Sequence, residues 1–260
     1  MIKAGPRLTA IGSGKGGTGK TFVTIGLAHA LAAMGEHVLV CDADLGLSNT
    51  TIHLGLAQGG DLEGMLAGRA RLIDAVVHVP NAGFDLLAAP TGSGALADAD
   101  AHVAQRLVAI FRRAISYDRI LIDLGAGVSE LVMTFAAEAD DMLVIATPDP
   151  SSITDAYAFL KRALWRSGGR MPSLAVNLAA SAAEARRTAE SLQNAAKTFL
   201  RATPGYLGYI PLDPRVTDSV RRQAPLSTLH PQSPAVASLA ALAAALGGPT
   251  GRISAASSVR

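Results

Sequence analysis

At 260 residues, with 49% hydrophobic side chains and a net charge of +2, the chain is long enough for one large α/β domain with a substantial core, and a second domain is not required. Its single cysteine, Cys41, excludes a disulfide framework and a cysteine-cluster metal site, and its six histidines are scattered without H-E-x-x-H spacing. The segment before the first strand does not read as a signal peptide and no run of about 18 apolar residues occurs, so a cytoplasmic location is expected, at most peripheral at the inner face of a membrane. Charge is uneven: residues 1–150 carry 10 basic and 16 acidic side chains, and residues 151–225 carry 11 and 5. A basic second half suits DNA, an anionic membrane or an acidic protein.

The apolar run 8–11 predicts a first strand, followed at 12–21 by Gly-Ser-Gly-Lys-Gly-Gly-Thr-Gly-Lys-Thr. Gly14, Gly19, Lys20 and Thr21 satisfy G-x-x-x-x-G-K-[ST], in which backbone N–H groups converge on phosphate oxygens at a helix N-terminus. Lys20 is expected to reach the β- and γ-phosphates, and Thr21 to ligate Mg²⁺. Lys15, five residues before Lys20, is not required by such a loop. On its outer wall this lysine is placed to reach phosphates bound by a facing copy.

Ile25, Ala28, Leu31 and Ala32 recur at helical spacing over 21–34, ended by Gly35. Residues 38–41 predict a strand buried on both faces, with Cys41 inside, and it delivers Asp42 and Asp44 to the sheet rim where ligands bind. Both are candidates to approach Mg²⁺ and the γ-phosphate. Residues 45–56 lack a period and read as a nucleotide-responsive loop. Short helices at 62–66 and 72–77, a strand at 84–88 and a glycine-bearing stretch at 90–94 follow. A helix over 102–115 turns Val103, Leu107, Ile110 and Phe111 inward.

Residues 119–123 form a second strand that ends in a carboxylate, a Walker B pattern in which Asp123 holds Mg²⁺ directly or through water. Residues 125–127 supply a pliant switch. Beyond it come a strand at 142–146, a helix over 151–165 capped by Ser151 or Ser152, a strand at 174–178, a helix over 181–200, a strand at 206–210, a helix reaching 223 and a last helix at 234–246. The tail 247–260 is expected to be disordered. Asn177, near a strand end, offers an amide that both donates and accepts, suited to an adenine edge.

From residue 8 to about 246 this ordered series resembles the deviant Walker A P-loop ATPases of the MinD/ParA family. The stretches 42–46, 123–129, 147–161 and 210–226 look most like its flagellar-number regulator branch, the FlhG/FleN group. The resemblance implies one ATPase domain over 1–246, with an α/β P-loop NTPase fold, a mostly parallel central sheet and helices on both faces. It also implies ATP and Mg²⁺ as cofactors and slow, partner-stimulated hydrolysis. Gly14, Lys15, Gly16, Gly17, Thr18, Gly19, Lys20, Thr21 and Phe22 would line the phosphates. Asn177, with Pro211 and Asp213 of the loop near the base, would take the adenine. Thr21, Asp42 and Asp123 would serve the metal; Lys15, Lys20 and Asp44 would be catalytic, Asp44 by positioning the attacking water and Lys15 by acting across an ATP-bound homodimer.

Phe22 departs from the pattern, since many relatives place Thr, Ser or Asn there near the α-phosphate. A charge-assisted hydrogen bond worth about 1.5 to 3 kcal/mol is then missing unless backbone donors compensate. Neither an activating helix before the first strand nor an amphipathic membrane helix at the end is expected from the sequence. The implied partners are a second copy and a regulatory or assembly protein such as a flagellar GTPase or a transcription activator. Three outputs stay open: control of the number or placement of flagella, ParA-type DNA partitioning, and an ATP-dependent ligase of the dethiobiotin or cobyrinate type.

Overall fold

A computed structural model describes residues 5–45, 49–89 and 99–247. The first half runs β1 (Arg7–Gly12), α1 (Lys20–Ala33), β2 (Val38–Ala43), α2 (Thr50–Leu54), α3 (Leu62–Leu66), α4 (Leu72–Ala75), β3 (Val77–His78), β4 (Phe84–Leu87) and α5 (Ala101–Phe111). The second half runs β5 (Arg119–Leu124), α6 (Glu130–Glu138), β6 (Asp141–Ala146), α7 (Pro150–Arg166), β7 (Ser173–Ala179), α8 (Ala182–Leu200), β8 (Tyr206–Pro211), α9 (Pro214–Arg221), α10 (Leu226–Leu229) and α11 (Pro234–Gly247). Among the described residues these strands make one eight-stranded sheet, ordered β3-β4-β2-β5-β1-β6-β7-β8. Only the β3–β4 pairing is antiparallel.

Every residue of β2 and β5 is buried, as expected of parallel strands covered on both faces. Side chains of the central strands alternate between two cores. Leu8, Leu39 and Cys41 join Leu107, Phe135 and Phe159 of α5, α6 and α7 on one face. Ile11, Val38 and Val40 join Leu27, Leu31 and Leu239 of α1 and α11 on the other. β1 lies between β5 and β6, so the chain reverses its direction of growth there and opens a crevice at the carboxyl ends of β1, β2 and β5. The expected α/β architecture is the observed one.

Local expectations needed correction. The stretch 45–56, read as a loop, contains the short helix α2, whose Thr50, Thr51 and Leu54 are buried; five residues are too few for a helical period to register. The helix expected over 72–77 stops at Ala75 and gives way to β3, and α6 and α10 went unseen. α5 ends at Phe111 and buries Ala104, Leu107, Val108 and Phe111, leaving Val103 and Ile110 half-buried. The cap of α7 is Asp149, whose side chain accepts from the Ser152 N–H at 2.9 Å, in place of Ser151 or Ser152. The 90–94 stretch lies outside the described residues, as does the expected tail apart from Gly247, which still belongs to α11.

Candidate active site

Between β1 and α1 the chain folds into a tight loop whose backbone fits only with glycine at key places. Gly19, at φ +83°, sits so close to Asn177 that a Cβ there would lie 2.3 Å from its Nδ2, and this left-handed conformation is one that glycine adopts without a steric penalty. At Gly14 a Cβ would lie 2.1 Å from the Asp155 carbonyl of α7. Gly16 and Gly17 are exposed at the tip, and Thr18 is buried beneath them. Lys20, Thr21 and Phe22 open α1, where the first N–H groups have no intrahelical acceptor. Phe22 is half-buried and packs against the edge of the core, which leaves its backbone N–H as its contribution to the loop.

The acidic wall comes from β2 and β5. Asp123, 2% exposed, accepts from Thr21 Oγ1 at 2.7 Å and from Thr24 Oγ1 at 3.2 Å. Burial first and the charge of Asp42 second push its carboxyl up to about 7, against the opposing pull of Thr21, Lys20 and Thr24. Asp42 is its register partner across the strands. Its Oδ2 accepts from Thr50 Oγ1 at 2.7 Å and Thr50 N at 3.2 Å, and its Oδ1 from Asp44 N at 3.1 Å. Asp44 is half-buried, and a Cβ on Gly125 would come 3.5 Å from its Oδ1. The 125–127 stretch is tied to the phosphate loop by Gly127 N, which donates to Ser13 O at 3.0 Å.

Lys15 lies outside this group. Its Nζ donates to Asp149 Oδ1 and to Ser151 Oγ, each at 2.7 Å, so it rests against the first turn of α7 with its side chain about a third exposed. Asn177, 1% exposed, donates from Nδ2 to Thr18 O at 2.8 Å, and its Oδ1 is buried without a partner. Half of the amide expected to read a base therefore holds the phosphate loop, and an acceptor is left over. The next residue, Leu178, takes a left-handed φ of 59° where β7 loses register with β8. Pro211 ends β8. Asp213 accepts from Arg215 N at 3.0 Å and Ser233 Oγ at 2.6 Å, so its carboxylate joins the starts of α9 and α11.

The sequence reading missed Thr24, Thr50 and Asp149. Thr24 lies one helical turn beyond Thr21 on the same face, a spacing that was available as a signal. Nothing local marked Thr50, eight residues from the carboxylate it serves, or Asp149, which reads as a turn residue between two prolines.

A family profile described as the CobQ/CobB/MinD/ParA nucleotide binding domain matches residues 9–226. The chain belongs to this family. It is 32% identical over 238 residues to the antiactivator FleN of Pseudomonas aeruginosa, covering 91% of this chain and 85% of that protein. It is 32% identical over 217 residues to the flagellum site-determining protein YlxH of Helicobacter pylori, covering 80% and 70%. The septum site-determining protein MinD of Pyrococcus horikoshii, solved with Mg-ADP, superposes with a TM-score of 0.78 at 26% identity, covering 95% of this chain and 98% of that one.

As a P-loop ATPase of the MinD/ParA family, the chain has residues that fit ATP with Mg²⁺. Thr21 and Asp123 would hold the cation, which supplies positive charge where two buried carboxylates otherwise oppose each other. The spare Asn177 Oδ1 is a hydrogen-bond acceptor, and adenine carries an exocyclic amine to donate to it.

Proposed function

We propose that residues 1–246 act as an ATP-dependent dimerising switch that controls the number or placement of a cellular machine, flagella in the first instance. The observation that carries this reading is the resting place of Lys15. Although it belongs to the phosphate loop, its ammonium is held by Asp149 and Ser151 on the outer side, where it can be handed to a second copy. In the closed pair Lys15 leaves Asp149 for the triphosphate of the facing subunit, Lys20 neutralises the phosphates of its own, and Asp44 orients the attacking water. Moving such an equilibrium from 1:99 to 99:1 takes about 5.5 kcal/mol of differential binding. The contacts of Lys15 must therefore form mainly in the pair.

Similarity to FleN and YlxH supports the flagellar output and, with it, a regulatory or assembly protein as partner. Among the described residues no helix is long and apolar enough to cross a membrane, and we infer a cytoplasmic protein, peripheral at most. Exposed Arg186, Arg187, Lys197 and Arg201 favour DNA partitioning as the second reading. Binding to non-specific DNA that needs ATP and falls steeply with salt would select it. Sedimentation with ADP and with a non-hydrolysable ATP analogue tests the main reading. A dimer with the analogue alone is expected; monomers with both at saturation would overturn it.

A further inference from the structure

Alongside α1 lies a cavity of about 280 Å³, walled by α1, α2, α9, α10 and α11. Phe22, Ile25, Leu226 and Leu239 make much of its surface, and no Asp, Glu, Lys or Arg lines it. The polar lining is limited to the imidazoles of His29 and His53 and the hydroxyls of Ser219 and Ser227. Burial lowers the pKa of both imidazoles, for His53 against the pull of Asp42, which favours their neutral forms. The exposed Met34 and Val220 stand among its walls, so it is an apolar cleft open to solvent on one side.

The chemistry of the walls selects the occupant. An ion would be taken out of water with no opposite charge to meet it, at a cost of several kcal/mol. The volume approaches the lower end of small-molecule sites, about 300 Å³, which are concave and mainly apolar with few polar groups. Position supplies the consequence of occupancy. Phe22 directly follows Thr21, whose hydroxyl bonds Asp123. His53 lies in α2, the helix whose Thr50 bonds Asp42. Two walls of the cavity thus belong to the elements that hold the two buried carboxylates.

We propose that this cavity binds a small, uncharged, mainly apolar molecule, and that occupancy is transmitted to the nucleotide site through Phe22 and α2. The transmission rests on the nucleotide reading given above; the binding does not. A guest that favours one arrangement of α1 and α2 changes nucleotide affinity, and nucleotide changes guest affinity by the same factor.

The neutral fluorophore N-phenyl-1-naphthylamine, titrated into the full chain without nucleotide, tests the binding. A saturable one-site rise in emission is expected, with affinity at least about tenfold weaker in Ala30→Phe and Ala240→Phe, whose new rings would fill the cavity. Melting curves show that each variant is folded. Non-saturable emission, or full affinity in both folded variants, overturns the site. A signal that appears only after residues 248–260 are removed assigns the space to the chain's own terminus and overturns the small-molecule guest. Repeating the titration with Mg-ADP is expected to move the dissociation constant by about fivefold. An unchanged constant, with ADP binding confirmed by calorimetry, overturns the transmission alone. Fluorophore binding in a chain that takes up no nucleotide would instead strike the nucleotide reading and leave the cavity standing.

Discussion

Asp123 of β5 and Asp42 of β2 are register partners on adjacent strands, and both carboxylates are buried. Thr21 and Thr24 serve one of them and Thr50 the other. Two carboxylates held this way, with the Lys20 charge opposing the upward shift at Asp123, disfavour each other's ionisation, and a bound cation would relieve that.

The pH dependence follows from the sign of that interaction. The carboxyl of Asp123 ionises at about 7 in the folded chain, against 3.8 ordinarily, so the folded state binds the proton more tightly. Stability from the protonated form is present at low pH and is lost as pH rises toward about 7. Without nucleotide, Asp123→Asn is expected to melt higher than the parent at about pH 8 and to lose that advantage near pH 5. Calorimetry at constant ionic strength measures this. Because Mg²⁺ competes with the same proton, Mg²⁺-dependent nucleotide affinity should rise over that interval in the parent chain and vanish in the variant.

In the proposed switch, the tie between Lys15 and Asp149 would compete with dimerisation. Lys15 first, then Thr147, hold the Asp149 carboxyl well below the usual range, but the pair is partly exposed and such pairs contribute at most about 1 kcal/mol. Asp149→Ser keeps a capping oxygen for α7 and removes the charge. It is expected to dimerise at analogue concentrations lowered by no more than about fivefold, while Lys15→Ala binds nucleotide and stays monomeric. Sedimentation velocity decides, and a weaker dimer in Asp149→Ser would rule out the competition.

Asn177 serves the loop and, in the proposed site, the base. Asn177→Ala strands the Thr18 carbonyl, which accepts its amide at 2.8 Å, at a cost of about 1–3 kcal/mol in stability. It should also weaken ATP binding by about tenfold and leave GTP binding less affected, so that the preference for adenine narrows. Calorimetric titration of both nucleotides measures the ratio. Gly19→Ala, driven against the same amide, is expected to lose both nucleotides.

Thr50 anchors α2 through Asp42. Thr50→Val removes the 2.7 Å hydroxyl donor from a buried carboxylate and should lower stability by about 1–3 kcal/mol, with faster amide exchange confined to α2. Thr50→Ser restores the donor and should behave as the parent. Equal exchange in all three chains would show that α2 is held by its other contacts.

Much of this site was legible in order along the chain, for a physical reason. Gly14, Gly19, Lys20 and Thr21 interact through their own backbone, so their spacing carries their geometry, and Asp123 is announced by the apolar strand it terminates. What stayed hidden depends on contacts distant in sequence. Asp149 meets Lys15 from 134 residues away, and Asn177 meets Thr18 from 159 away. The sequence could offer Asn177 as an amide without showing that one of its two ends was already engaged. Short elements failed for a different reason: α2, α10 and β3 are shorter than the periods by which they would be recognised.

Gly14 presses against the backbone of α7 so closely that even a methyl group would collide with the Asp155 carbonyl. No flexible side chain lies between them to absorb displacement. In the proposed switch, a shift of the loop on nucleotide exchange would pass directly to that helix, and a partner gripping the helix would press in turn on the loop.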